Sequence, residues 1–206
     1  MSGVQVRFKT TATTGEEYVT RRLWQEASLP RCPEHREGGC GLKRHTAYER
    51  KHPPGAKVAR WYCPTSRKTF SLLPDCLASR YPAQLTEIEE VVVAAEGASS
   101  VASAIASLWP ELGLVGAQRK LRRWTAAVAT ILALSRGLMP ELAPAESSVA
   151  AFREVMSTDA VLMALRERLA PRLHALPAPV GFGPPLEPGP TRRRREQHET
   201  VPDPPV

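Results

Sequence analysis

Val4, Val6 and Phe8 alternate with polar residues, a period of two that predicts a short strand near the N-terminus. Over residues 16–27 a helix would bring Tyr18, Leu23 and Trp24 together. Between residues 31 and 80 helical periodicity fades into Cys, His, Gly, Pro and basic residues. Short strands fit there at 57–62 (KVARWY) and 68–72 (KTFSL). From about 85 to 175 the apolar positions recur at helical spacing in alanine-rich sequence. Thr86 followed by Glu89 reads as a capping box opening a helix over 85–96 that ends near Gly97. Ser99 or Ser100 can cap a second helix over 98–108, which must stop before Pro110. A third helix over 115–136 places Leu121, Trp124, Val128 and Ile131 on one face. Two further helices fit 145–156 and 159–175, the latter capped by Thr158 or Asp159.

Ten of the twenty prolines fall at or after Pro171. With Gly181, Gly183 and Arg192 to Arg195, the segment 177–206 lacks the means to build a core and is expected to be a disordered tail. The pattern divides the chain into an N-terminal extension (1–30), a compact polar module (31–80), a helical domain (85–176) and that tail.

Charge changes the picture. The 206-residue chain carries a formal +7, and residues 31–70 hold ten Lys/Arg against three Glu, a local excess equal to the whole. Such a face favours an acidic partner, most commonly nucleic acid. The first twenty residues are polar and lack the apolar run of a secretory signal. The greasiest stretch, 126–134, is far shorter than the roughly 20 residues a bilayer span needs. No membrane partner is therefore expected, and a cytoplasmic, reducing setting is. In that setting four cysteines read as metal ligands or core residues before disulfides.

Cys32-Pro33-Glu34-His35 is followed by Cys40 and, later, by Trp61-Tyr62-Cys63-Pro64. A Cys-x2-His spacing lets a tight turn aim two donors at one zinc ion, and a second knuckle on a following hairpin completes a tetrahedron. The Gly38-Gly39-Cys40-Gly41 run suits a chain bending sharply around a metal. A segment this polar has little to bury and needs such a staple. The second knuckle reads Cys63-Pro64-Thr65-Ser66, and serine is a poor zinc ligand. The preferred set is Cys32, His35, Cys40 and Cys63, with His45, His52 and Cys76 as alternatives to His35. Cys76, within Leu72-Leu73-Pro74-Asp75-Cys76-Leu77, otherwise reads as a buried free thiol.

The run Arg44-His45-Thr46-Ala47-Tyr48-Glu49-Arg50 resembles the RHG-x-Y-x-R segment of zinc-ribbon proteins associated with bacterial mobile elements. The run WYCPTSRKTFSLLP (61–74) is similar to their CP-x-C-x-R-T-F-S-L-L-P segment. The likeness covers 31–80 well and 85–136 loosely. It departs at Ser66, where the last ribbon cysteine would stand, and at Thr46, where glycine would. What the resemblance implies is a zinc ribbon preceding a helix-turn-helix, a DNA-binding role and a relation to transposase N-terminal regions. The expected fold class is accordingly α+β, mainly α: a small zinc-ribbon-like β module, a helix-turn-helix-like helical domain and a disordered tail.

If the helices at 85–96, 98–108 and 115–136 form a three-helix unit, the third would enter the major groove. Arg119, Lys120, Arg122 and Arg123 near its start would meet phosphates or guanine edges. The connection 108–114 is longer than the three or four residues of a tight turn between such helices. In the ribbon, Arg44, Arg50, Arg60, Arg67 and Lys68 lie among Tyr48, Trp61, Tyr62 and Phe70, a basic surface suited to phosphates. Arg192 to Arg195 would add salt-sensitive affinity. Walker-type glycine loops, a Ser-His-Asp order and a His-Glu-x-x-His run are missing, and Asp75, Glu154 and Asp159 make no persuasive nuclease triad. The expectation is a non-enzymatic, zinc-containing protein that binds double-stranded DNA, a regulator or an accessory factor of a mobile element working beside transposition or regulatory proteins. The rivals are a zinc-held protein-interaction adaptor and a metal or redox sensor using Cys32, Cys40 and Cys63.

Overall fold

The computed structural model describes residues 3–111, 113–143 and 145–183. Among them the order is β1 (Gly3–Phe8), α1 (Gly15–Thr20), β2 (Lys43–Arg44), β3 (Tyr48–Glu49), β4 (Lys57–Cys63), β5 (Lys68–Pro74), α2 (Leu85–Glu96), α3 (Val101–Leu108), α4 (Leu114–Leu138), α5 (Val149–Met156) and α6 (Val161–Arg168). The class is α+β, as the sequence predicts. None of the described helices is long and apolar enough to cross a membrane.

The strands lie in the order β1-β5-β4-β2, with β3 added along β4. β4 and β5, where short strands are expected from KVARWY and KTFSL, pair as an antiparallel hairpin. β1 joins β5 in parallel, Val4 opposite Phe70 and Val6 opposite Leu72. Side chains alternate across a sheet, so Val4, Val6, Phe70, Trp61 and Cys63 share one face. They pack there with Cys32, Cys40, Leu29 and Leu42. On the opposite face Val58 and Leu73 join the helices in a second, larger core with Tyr18, Ile88, Leu121, Val128, Ile131 and Leu165. One sheet thus separates a cysteine-rich core from a helical one.

Several local expectations shift for identifiable reasons. The helix anticipated over 16–27 ends at Thr20, and Leu23–Gln25 continue as a 3-10 turn after Arg22, whose φ of 51° breaks the helix. The capping box is not formed: α2 starts at Leu85 after Gln84, with no side-chain cap. Glu89 is instead turned inward, accepting from the Leu162 N–H at 2.9 Å and from Arg153 at 2.9 Å. Ser100 does cap α3, accepting from the Ser103 N–H at 3.1 Å. Ser148 caps α5, which begins four residues later than expected. The segment 159–175 is helical only as far as Arg168, because Pro171 cannot continue the ladder and a 3-10 turn, Ala170–Arg172, takes over. Residues 177–183, expected to open the disordered tail, pack instead: Val180 is fully buried and the Phe182 N–H donates to Leu173. The rest of the expected tail, with Arg192 to Arg195, lies outside the described residues.

Arg166 organises that junction. It is fully buried, and its guanidinium donates to the carbonyls of Pro74, Asp75, Leu77, Pro179 and Val180 at 2.6–3.2 Å. Burial lowers its pKa to about 10, so it stays charged at neutral pH. One side chain therefore ties β5, the turn after it, α6 and the 177–183 segment together.

Candidate metal centre

Cys32, His35, Cys40 and Cys63 offer one donor atom each, all within 4.8 Å of one another. This is the set preferred from the spacing. The His35 Nδ1 lies 3.5 Å from the sulfurs of both Cys32 and Cys63. A tetrahedral ion with bonds of about 2.3 Å to sulfur and about 2.0 Å to nitrogen would set these atoms about 3.5 Å apart. Those two separations match a tetrahedral ion, and all four donors lie close enough together to hold one metal ion. All four cysteines are free thiols.

Local backbone chemistry explains the convergence. The His35 N–H donates to the Cys32 carbonyl at 3.2 Å, folding the first knuckle, and the Gly38 N–H continues the turn onto the His35 carbonyl at 3.0 Å. Gly38, Gly39 and Gly41 have φ of 90°, 75° and 66°, the left-handed region that β-carbons disfavour, and so swing Cys40 back toward the knuckle. The second knuckle starts at the end of β4. The Ser66 N–H points at the Cys63 sulfur from 3.5 Å. The Thr65 hydroxyl, donating to the Cys40 carbonyl at 3.2 Å, locks the two halves together. Ser66 stands beside the sulfur with a hydroxyl where a second thiol of the knuckle would be.

The thiols differ in their readiness to ionise. At Cys63 burial opposes the thiolate, but the Ser66 hydroxyl and N–H together with the Cys40 and Cys32 thiols outweigh it, bringing the thiol down to about 6. Burial pushes the Cys40 thiol up. Across the module, Lys68 pairs with Glu34 at 2.8 Å, though both are too exposed for that pair to contribute much.

The alternative ligands lie elsewhere. His45 is exposed, its Nδ1 3.1 Å from the Thr46 hydroxyl. His52 lines a cleft with residues of α4. Cys76 is fully buried, and burial pushes its thiol up to about 12, in keeping with the inert core thiol suggested by its surroundings.

The basic residues sort into two groups. Arg44 donates to the Trp24 and Gln25 carbonyls at 2.8 and 2.9 Å. Arg50 is half-buried and donates to the carbonyls of Ala78, at 3.1 Å, and Tyr81. Both brace the fold, with one nitrogen of the Arg50 guanidinium engaged by two backbone carbonyls. Arg60 lies over the Tyr48 ring at 4.2 Å. Arg67 is exposed at the β4–β5 turn with φ of 53°. On α4, Arg119, Arg122 and Arg123 are exposed, whereas Lys120 sits between the Trp109 and Trp124 rings at 4.4 and 4.3 Å and faces Glu87 at 3.7 Å. Arg123 stacks on Tyr81 at 4.4 Å. Arg119, Lys120 and Arg123 line a cleft with His52, so the start of α4 adjoins the 50–56 loop. Leu121, Trp124, Val128 and Ile131 are all buried, as their spacing predicts.

Residue patterning does not single out Arg166, which reads as a solvated helix charge until the packing is known, and it marks Glu89 only as the capping-box partner of Thr86. Comparison with protein-family models, curated proteins and solved structures finds no match to this chain. What the described residues establish is an α+β protein whose sheet carries a three-cysteine, one-histidine cluster able to hold a metal ion.

Proposed function

We propose that the chain is a zinc-stabilised DNA-binding protein, with the Cys32, His35, Cys40 and Cys63 ion holding a ribbon-like module against a helical reader. The observation that carries the metal half is the 3.5 Å spacing of the His35 nitrogen from two cysteine sulfurs. Three thiolates and an imidazole are a common structural zinc set, leaving no open position for catalysis.

The DNA half rests on the exposed arginines of α4. Arg119, Arg122 and Arg123 bond to no carboxylate among the described residues. In this reading α2, α3 and α4 act as a helix-turn-helix-like unit, with Arg67 and Lys68 as outlying phosphate contacts. The role would be regulation of, or assistance to, a mobile element.

The test is binding to random-sequence duplex DNA titrated with salt, alongside metal analysis of the same preparation. One zinc per chain with affinity falling steeply as salt rises is expected. Protein that holds zinc yet ignores duplex DNA at low salt would overturn the DNA reading in favour of the adaptor.

A further inference from the structure

A second cluster lies on the sheet, lined by none of the metal ligands and none of the α4 arginines. Gln5 on β1 is in register with Ser71 on β5, and Ser71 with Arg60 on β4. The three therefore form a row across three strands on the face opposite Cys63. Along this row the helical core does not cover the sheet. A half-open cavity of about 600 Å3 remains, lined by Gln5, Tyr48, Arg60, Ser71, Arg80 and Phe182 together with the backbone of β1.

Three features give the cavity a chemical bias. Arg60 and Arg80 enter no salt bridge among the described residues, and no acidic side chain lines the space. The Arg60 Nε and the Gln5 Oε1 are buried without a hydrogen-bond partner, an unusual state for polar atoms in a folded protein. Ser71, only 6 % exposed, adds a hydroxyl at the centre of the row.

Both arginines are constrained, one at its side chain and the other at its backbone. Stacking on Tyr48 fixes the Arg60 guanidinium. Arg80 occupies a left-handed conformation, φ 57°, where glycine or asparagine would be at ease. Its turn is clamped by the Ala78 N–H on the Ala83 carbonyl, the Ser79 N–H on Pro179 and Arg50 on Ala78 and Tyr81. One guanidinium fixed by stacking, a second arginine presented from a clamped turn, a hydroxyl and an amide lining one space suit a multiply charged oxygen anion. The Tyr48 and Phe182 rings offer an apolar wall beside it.

We infer that this cavity binds a phosphate oxyanion, held by Arg60 and Arg80 with Ser71 and Gln5 as neutral partners. The site does not depend on the α4 surface. A small phosphate ester and the backbone of a nucleic acid both carry this chemistry, and the two sources separate experimentally.

The experiment titrates inorganic phosphate and, separately, deoxyadenosine monophosphate into the full chain, following the Gln5 and Ser71 amides by NMR and affinity by calorimetry. Saturable shifts at these amides are expected, with affinity about tenfold or more weaker in Arg60→Gln and Arg80→Gly. Arg80→Gly also removes the left-handed strain, so loss of binding in a variant that melts no lower cannot be ascribed to misfolding. The double variant Arg119→Gln, Arg122→Gln should bind both small probes as the parent does, even if duplex binding is weakened, and leaves in place the Arg123 stack on Tyr81 beside Arg80. Competition by a short duplex oligonucleotide would assign the site to backbone phosphate, and its absence to a small ester. The proposal is overturned if neither probe shifts these amides, or if both arginine variants bind as tightly as the parent.

Discussion

At the scale of single residues, the metal site rests on donors of unequal replaceability. Cys63→Ser removes the thiol most readily ionised and one of the two sulfurs nearest His35. It should abolish stoichiometric zinc, as read by native mass spectrometry, and lower the melting temperature. His35→Ala should weaken zinc while leaving three sulfurs. Ser66 occupies the second knuckle beside Cys63 but lacks a sulfur, so adding Ser66→Cys to His35→Ala should restore one zinc per chain. Failure of that rescue would show that residue 66 cannot reach the ion. The spacing of Cys32, His35, Cys40 and Cys63 marks the preferred set but leaves the histidine open. The chain path decides it, since the first knuckle brings His35 to the cysteines while His45 is exposed, His52 lies beside α4 and Cys76 is in the other core. Arg166 is not legible at all, because five carbonyl partners from distant segments have no local signature. Arg166→Met should destabilise the protein by about 3–5 kcal/mol in urea unfolding, as it leaves buried carbonyls unpaired. Arg166→Lys should rescue little, since an ammonium has three donors on a flexible stem.

Among the elements, α2 does more than its apolar face suggests. Its Leu85, Ile88, Val91 and Val92 build the core expected from helical spacing. Its Glu89 and Glu96, however, accept from the first-turn amides of other helices, Leu162 of α6 at 2.9 Å and Val149 of α5 at 3.0 Å. Carboxylates at helix N-termini satisfy amides that have no partner within the helix and favour the helix dipole. Neither α5 nor α6 has an acidic residue in its own first turn. Glu89→Ala should therefore cost about 2–3 kcal/mol, more than an exposed cap, because it also strands the Leu162 amide in the interior. Hydrogen exchange should show α6 losing protection first. A cost below about 0.5 kcal/mol, the low end for an ordinary cap, would refute this trans-capping role. The Thr86–Glu89 box misleads because a three-residue spacing reports only local geometry, whereas the Glu89 partners lie 64 and 73 residues away. Helices α3 and α4 are legible because their cap and apolar stripes are local.

For the whole molecule, the decisive feature is one sheet shared by two cores. The parallel pairing of β1 with β5 joins stretches of sequence that no period could connect, and it makes the 31–80 segment part of the larger fold. Arg7 reinforces the join, donating to both oxygens of Asp75 at 2.7 and 2.9 Å. Metal removal should consequently lower a single cooperative melting transition rather than melt a separate module. Two resolved transitions in calorimetry after chelation would contradict that coupling. The formal charge of +7 belongs to this scale too. On the proposed DNA-binding reading, replacing Arg119, Arg122 and Arg123 with glutamine should flatten the salt dependence of duplex binding, the logarithmic slope falling by roughly one for each phosphate no longer neutralised.

Everything in the proposed architecture turns on the ion between the two knuckles. X-ray absorption at the zinc edge, on protein purified without added metal, tests it most directly. The account predicts a four-coordinate shell of three sulfurs at about 2.3 Å and one nitrogen at about 2.0 Å. Absence of zinc, or a shell of nitrogen and oxygen alone, would contradict it.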